Sequence, residues 1–152
     1  MAKKVLVSPI LSTPNGIMSH GVEAPAGKMV FVSGQVSRNA QGEIVGKGDI
    51  TAQTRQVLEN MKSVLAEGGA AMDDVVKVTV FVTNVAEHYS QIHEVRAEYF
   101  PNDYPASTMV EVKALVQPEL LIEIEAIAVA IGPAPNARIL TSPSAPNAIV
   151  VM

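Results

Sequence analysis

The chain has 152 residues, of which 48% are hydrophobic and 17% charged, with a formal net charge of −4 and no cysteine. That length suits one domain with a single core, and the absence of cysteine excludes disulfides, thiol catalysis and cysteine-ligated metal. The acidic balance, with no basic run beyond Lys3–Lys4, argues against nucleic acid as a partner, and no stretch approaches the ~20 apolar residues of a membrane-spanning helix.

Lys4–Ser8 (KVLVS) reads as a short strand that stops at Pro9, and Ser12–Gly21 (STPNGIMSHG) as a loop rich in turn residues. Lys28–Val36 (KMVFVSGQV) is the next strand: Met29, Val30, Phe31 and Val32 make an apolar run, and Gly34 leaves room for another backbone or a ligand. Asn39–Gly48, with Gly42, Gly46 and Gly48, is a hairpin or loop. Asp49 opens a helix in which Ile50, Thr54, Val57, Leu58, Met61, Val64 and Leu65 recur at helical spacing, and Gly68–Gly69 ends it. Val75–Val82 (VVKVTVFV) alternates around Lys77 and Thr79 as a strand. Asn84 followed by Glu87 is a helix-start signal, and that helix runs through Tyr89, Ile92, Val95 and Tyr99 until Pro101 stops it.

Pro105–Ala130 contains two alternating apolar runs about a break at Leu115–Glu119 and reads as a closing hairpin. In its second run Glu123 and Glu125 project from one face, with Ile122 and Ile124 on the other. The order of elements implies an α+β domain over residues 1–131, with two helices packed on one sheet face. From Gly132 the texture changes, and residues 132–152 form a Pro-rich extension. Within it Arg138–Pro143 (RILTSP) echoes Lys4–Pro9 (KVLVSP), so Ile139–Thr141 is a candidate extra edge strand. The low charge content is most simply explained by a homo-oligomer, and the lysine-bearing start lacks the pattern of a signal peptide, which fits a cytoplasmic protein.

The three histidines are His20, His88 and His93. A five-residue step on a helix rotates by about 500°, so His88 and His93 do not share a face and no metal is expected. Ser33 lacks the glycine two positions before it that a nucleophile elbow needs. His93 and Arg96 do share a helix face, either as a charged cleft wall or as partners for acids at an interface. Glu123 stands in a strand that continues Ala126-Ile127-Ala128-Val129, apolar on both sides; it is a solvated or salt-bridged residue or an acid kept for chemistry.

Ser33-Gly34-Gln35 after an apolar strand, the helix bearing Gln53, Leu58 and Asn60, the run Val75–Val82, and above all Pro105-Ala106, Val110-Glu111-Val112 and Ile122–Ala128 resemble the Rid (reactive intermediate deaminase, YjgF-type) family over about residues 3–131. The resemblance implies a chorismate-mutase-like α+β fold, a homotrimer with a central barrel, and clefts between subunits. It also implies cofactor-free hydrolysis of enamines and imines to keto acids and ammonia. Carried over residue by residue, Glu123 is the catalytic acid that handles water and protons, and Ser33 and Gly34 belong to the cleft. Ser107 stands where deaminating members carry an arginine for the substrate carboxylate, Met18 where they carry a tyrosine, His93 in place of an asparagine and Arg96 in place of a tyrosine. With Thr108 these residues form the implied substrate site. The departures imply a hydrolase of altered substrate range; the alternatives are a trimer that binds a small molecule without catalysis and, disfavoured by the charge balance, a ribonuclease or translation inhibitor.

Overall fold

The computed structural model describes residues 3–131; the extension from residue 132, with its echo of the N-terminal strand, lies outside the described residues. Strand β1 (Lys4–Leu6) pairs antiparallel with β2 (Gly21–Glu23) in a small two-stranded sheet. The main sheet comprises β3 (Lys28–Val36), β4 (Val75–Val82), β5 (Ala106–Glu111) and β6 (Ile122–Ala130), in the order β3-β6-β4-β5. Two helices, α1 (Ile50–Glu67) and α2 (Val85–Tyr99), cover one face of it. The fold is the α+β, chorismate-mutase-like arrangement implied by the sequence, with β2 as an element the loop reading of 12–21 stopped short of.

Both helices begin where a side chain can satisfy their first free N–H groups. Asp49 accepts from the backbone N–H of Ala52 at 3.0 Å, and Asn84 from that of Glu87 at 3.1 Å. On α1 the buried stripe is Ile50, Thr54, Val57, Leu58, Met61 and Leu65, joined by Gln53. The Gln53 amide donates to the carbonyl of Glu119 and accepts from the N–H of Leu121, which ties the segment before β6 to the helix. On α2 the buried positions are His88, Ile92, Val95 and Arg96, so the stripe carries two ionisable residues while Tyr89 and Tyr99 are only partly covered.

The closing hairpin expected over 105–130 does not form. β5 runs parallel to β4, and β6 lies antiparallel between β3 and β4, so β5 and β6 are not neighbours. Helix α2 returns the chain to the start of β4, which makes β5 parallel to it. The residues between Glu111 and Ile122 then carry the chain past β4 to the centre of the sheet. β6, with its near-continuous apolar run, is the strand best suited to a central position. Its even-numbered residues Ile122, Ile124, Ala126 and Ala128 are buried under the helices, beside Val32, Val78, Val80 and Val82. The other face is open. Phe31 and Ile127 are cross-strand partners there, as are Thr79 and Glu125, and Phe31 is 66% exposed.

Candidate functional site

Apart from Met18, the predicted site residues fall into two groups on opposite faces of the sheet. In the first, Ser33 and Gly34 occupy an irregularity in the pairing of β3 with β6, between Val32 and Gln35. An ideal Cβ on Gly34 would stand 1.9 Å from Oε1 of Glu123. The space that Gly34 leaves is therefore filled by the Glu123 carboxylate, where the sequence suggested a backbone or a ligand. Glu123 is half-buried and takes part in no salt bridge among the described residues. It pairs with Phe81 across the sheet on the open face. On that face a recess of about 330 Å³ is lined by Phe31, Ser33, Lys77, Thr79, Glu125 and Ile127. Thr108 belongs here too, since its hydroxyl accepts from Lys77 Nζ at 2.7 Å. Lys77 is a polar residue of this face whose place in an alternating strand was readable but whose role was not.

The second group gathers beneath α2, at the β5 edge. Arg96 is 1% exposed, and its Nη2 donates to Ser107 Oγ at 3.1 Å. Ser107 pairs with the buried Val78, so it points toward the helices, whereas Thr108, the next residue, points to the open face. Burial pushes the Arg96 guanidinium down to about 10, which leaves it cationic at neutral pH. His93 accepts a hydrogen bond from the backbone N–H of Ile17 through Nδ1 at 3.1 Å. Its ring lies edge-on to Tyr89, with centroids 4.3 Å apart. Burial, and then the charge of Arg96, push the imidazole down to about 4, so the ring is neutral and carries its proton on Nε2. Gly16 makes this packing possible: its φ is +82°, and a Cβ there would stand 2.6 Å from the ring. Gly16 and Tyr89 are site neighbours that only the three-dimensional arrangement reveals.

Met18 sits apart from both groups. It lines a recess of about 460 Å³ between the N-terminal segment and Tyr104, together with Leu6, Leu11 and His20. The loop carrying Met18 is fastened to the start of β5, because the N–H of Ser19 donates to the carbonyl of Pro105 at 3.0 Å.

The distance between the two groups follows from the register. Glu123 is level with Phe81 on β4, and Phe81 with Val110 on β5, three residues beyond Ser107. Strand spacing and rise place Glu123 and Ser107 roughly 14 Å apart, on opposite sides of the sheet. Within one chain Glu123 does not meet Arg96, His93 or Ser107.

Comparison with known proteins bears on this arrangement. Residues 12–130 match the family model described as Endoribonuclease L-PSP. A RutC family protein of Pyrococcus abyssi is 43% identical over 129 residues, covering 84% of this chain and 98% of its own. A crystal structure of a Rid-family protein of unknown function from Yersinia pestis superposes with a TM-score of 0.78 at 40% identity, covering 86% of this chain and 100% of that one. Escherichia coli TdcF with bound serine superposes with a TM-score of 0.63 at 34% identity, covering 84% and 99%. Taken with the shared fold, these matches show that the chain belongs to the Rid family, the YjgF-type proteins also described as endoribonuclease L-PSP.

Proposed function

We propose that the protein hydrolyses the C–N bond of small enamines or imines, releasing ammonia, in clefts formed where copies of the chain meet in a homotrimer. The observation that carries this reading is the Glu123 carboxylate seated on Gly34, free of salt bridges among the described residues, on the open face of the sheet. Imine hydrolysis needs a base for water and an acid for the leaving nitrogen, and one carboxyl group can alternate between these roles. Glu123 takes a proton as water oxygen adds to the C=N carbon. It returns that proton to nitrogen to give the neutral carbinolamine; Glu123 then takes the carbinol O–H proton and passes it to nitrogen as the C–N bond breaks, leaving the carbonyl and ammonia. An enamine first accepts a proton at its β-carbon to become the iminium. No cofactor is required for any of these steps.

A site between copies is supported by the separation of the two residue groups. The open face that holds Glu123 is uncovered and sets Phe31 and Ile127 among Lys77, Thr79 and Glu125, and the cationic group at β5 is on the other side of the sheet. Packing the open face of one copy against the β5 edge of the next joins the two. The endoribonuclease activity in the family description would call for a basic track along a phosphate backbone. The net charge of −4 argues against it.

The test is ammonia release from a panel of enamines and imines, with and without a carboxylate, catalysed by wild type and Glu123→Ala. The variant should be slower by about 100-fold or more. Equal rates, or no turnover by wild type on any member of the panel, would overturn the reading; in the second case a protein that still binds these compounds is a non-catalytic binder. Light scattering should give a mass near three chains of 16.1 kDa, and a stable monomer would remove the cleft.

A further inference from the structure

Strand β1 is lightly held. It forms residue pairs with β2 alone: Lys4 with Glu23, Val5 with Val22 and Leu6 with Gly21. None of its residues is buried, and Leu6, Val7, Ile10 and Leu11 along the same segment are all exposed. Just before it, Lys3 Nζ donates to the carbonyl of Val75 at 2.7 Å. A short strand with so few buried contacts opens at low cost. The sequence carries a second version of it. Residues 138–143 (RILTSP) match Lys4–Pro9 (KVLVSP) position by position: a cation, two branched aliphatic residues, a β-branched residue, serine and proline. What β2 requires of its partner is kept. Arg138 would face Glu23 as Lys4 does, an opposite-charge cross-strand pair. Leu140 would cover Gly21, where an added Cβ stands 3.3 Å from Leu6 Cδ1. The match breaks further along, where Pro14-Asn15-Gly16-Ile17 recurs as Pro146-Asn147-Ala148-Ile149. Gly16 has a φ of +82° and packs on the His93 ring, so alanine does not fit its place. The likeness that can be used is that of the strand.

We infer that residues 138–141 compete with β1 for β2 within the same chain, in the same antiparallel register, with Ile139 opposite Val22. The chain leaves the sheet at Ala130, the partner of Lys28. Lys28 follows Glu23 by five residues, so the two are at most about 18 Å apart. Residues 131–137, two of them proline, span about 25 Å when extended, which brings the segment to β2 of its own domain. A linker this short gives an effective concentration of the order of millimolar. Exchange puts Ile139, Leu140 and Thr141 where Val5, Leu6 and Val7 line the recess of about 460 Å³ that also holds Met18 and Tyr104. The two forms therefore differ in one wall of that recess. This exchange is independent of the hydrolysis proposed above.

The chain has no cysteine, so an introduced pair reports only its own contact. Residues directly opposite in an antiparallel pair have Cα atoms about 4.5–5.5 Å apart, within disulfide range. The full-length variant Val22→Cys/Ile139→Cys, equilibrated in a glutathione buffer and read by mass after alkylation, should form an intrachain disulfide. Adding Leu140→Asp, which removes the side chain over Gly21 and places an acid near Glu23, should lower that fraction by about fivefold or more. Val5→Cys/Val22→Cys reports β1 in the same place, and its disulfide fraction should rise when Leu140→Asp disables the competitor. Should Val22→Cys impair folding, the exposed pair Glu23→Cys/Arg138→Cys reports the same register. Absence of the 22–139 disulfide, one that Leu140→Asp leaves unchanged, or one found only between chains overturns the exchange. So does bonding of Ile139→Cys to Val5→Cys in preference to Val22→Cys, which would put the segment on the outer edge of β1.

Discussion

At Gly34 the position a Cβ would take already belongs to the Glu123 carboxylate. The backbone there is not in the left-handed region, so alanine is conformationally acceptable and restricts the unfolded chain. The clash falls on the far end of a flexible side chain, which swings away. Gly34→Ala should therefore keep its melting temperature within a few degrees of wild type while ammonia release falls by about tenfold or more, the cost of a displaced catalytic group; undiminished turnover would show that the carboxylate position does not matter. His93 sets a different dependence. Folded, its ring titrates at about 4, against 6.5 for an unperturbed histidine. Between those values the unfolded chain binds more protons, so stability falls as pH drops from about 6.5 to about 4 and is unaffected by this group at higher pH. Melting curves over that window should be less steep in pH for His93→Gln, whose amide oxygen still accepts from Ile17; parallel curves would assign the slope to other groups.

Helix α2 carries His93 and Arg96, and its first turn depends on Asn84. Asn84→Ala should cost about 1 kcal/mol in urea unfolding, whereas the same substitution at the exposed Asn102, which precedes no helix among the described residues, should be near neutral. Equal effects would mean that the cap carries no weight. The helices were legible because capping residues and apolar stripes coincide with a stop signal, Gly68–Gly69 after α1 and Pro101 after α2. Strand faces were legible too: alternation in Ile122–Ala130 separates Glu123 and Glu125 from the buried residues. Strand partners were not. Alternation specifies which side chains share a face, but two consecutive alternating runs look alike whether they pair or have a third strand between them. The parallel crossover through α2 and the central place of β6 decide that, and both are non-local. The candidate site was legible in the same measure. Glu123, Gly34, Ser107 and Arg96 were identifiable by residue type and resemblance, but the contact of Arg96 with Ser107 and the packing of His93 on Gly16 join segments far apart in the chain. The placement of Ser107 and Thr108 on opposite faces follows from period-two geometry once β5 is a strand.

For the molecule as a whole, the open sheet face raises the question of assembly. Phe31 is 66% and Met29 55% exposed, beside Ile127, an apolar surface of the kind that marks an interface. Phe31→Glu should lower the mass measured by light scattering and, with it, ammonia release, although neither Glu123 nor Arg96 has been touched; a trimer that persists with full activity would place the interface elsewhere. A sharper test separates a site shared between copies from one built within a chain. Glu123→Ala and Arg96→Met each disable one of the two residue groups. When the two inactive variants are unfolded together and refolded in equal amounts, copies assemble at random. If each cleft takes Glu123 from one copy and Arg96 from the next, about one quarter of the clefts contain both wild-type residues, and activity should recover toward that fraction. If each chain supplies both groups to its own cleft, no cleft in any mixture is intact, and the mixture stays as inactive as its parts. The roughly 14 Å and the full sheet thickness that separate Glu123 from Ser107 in a single chain favour recovery.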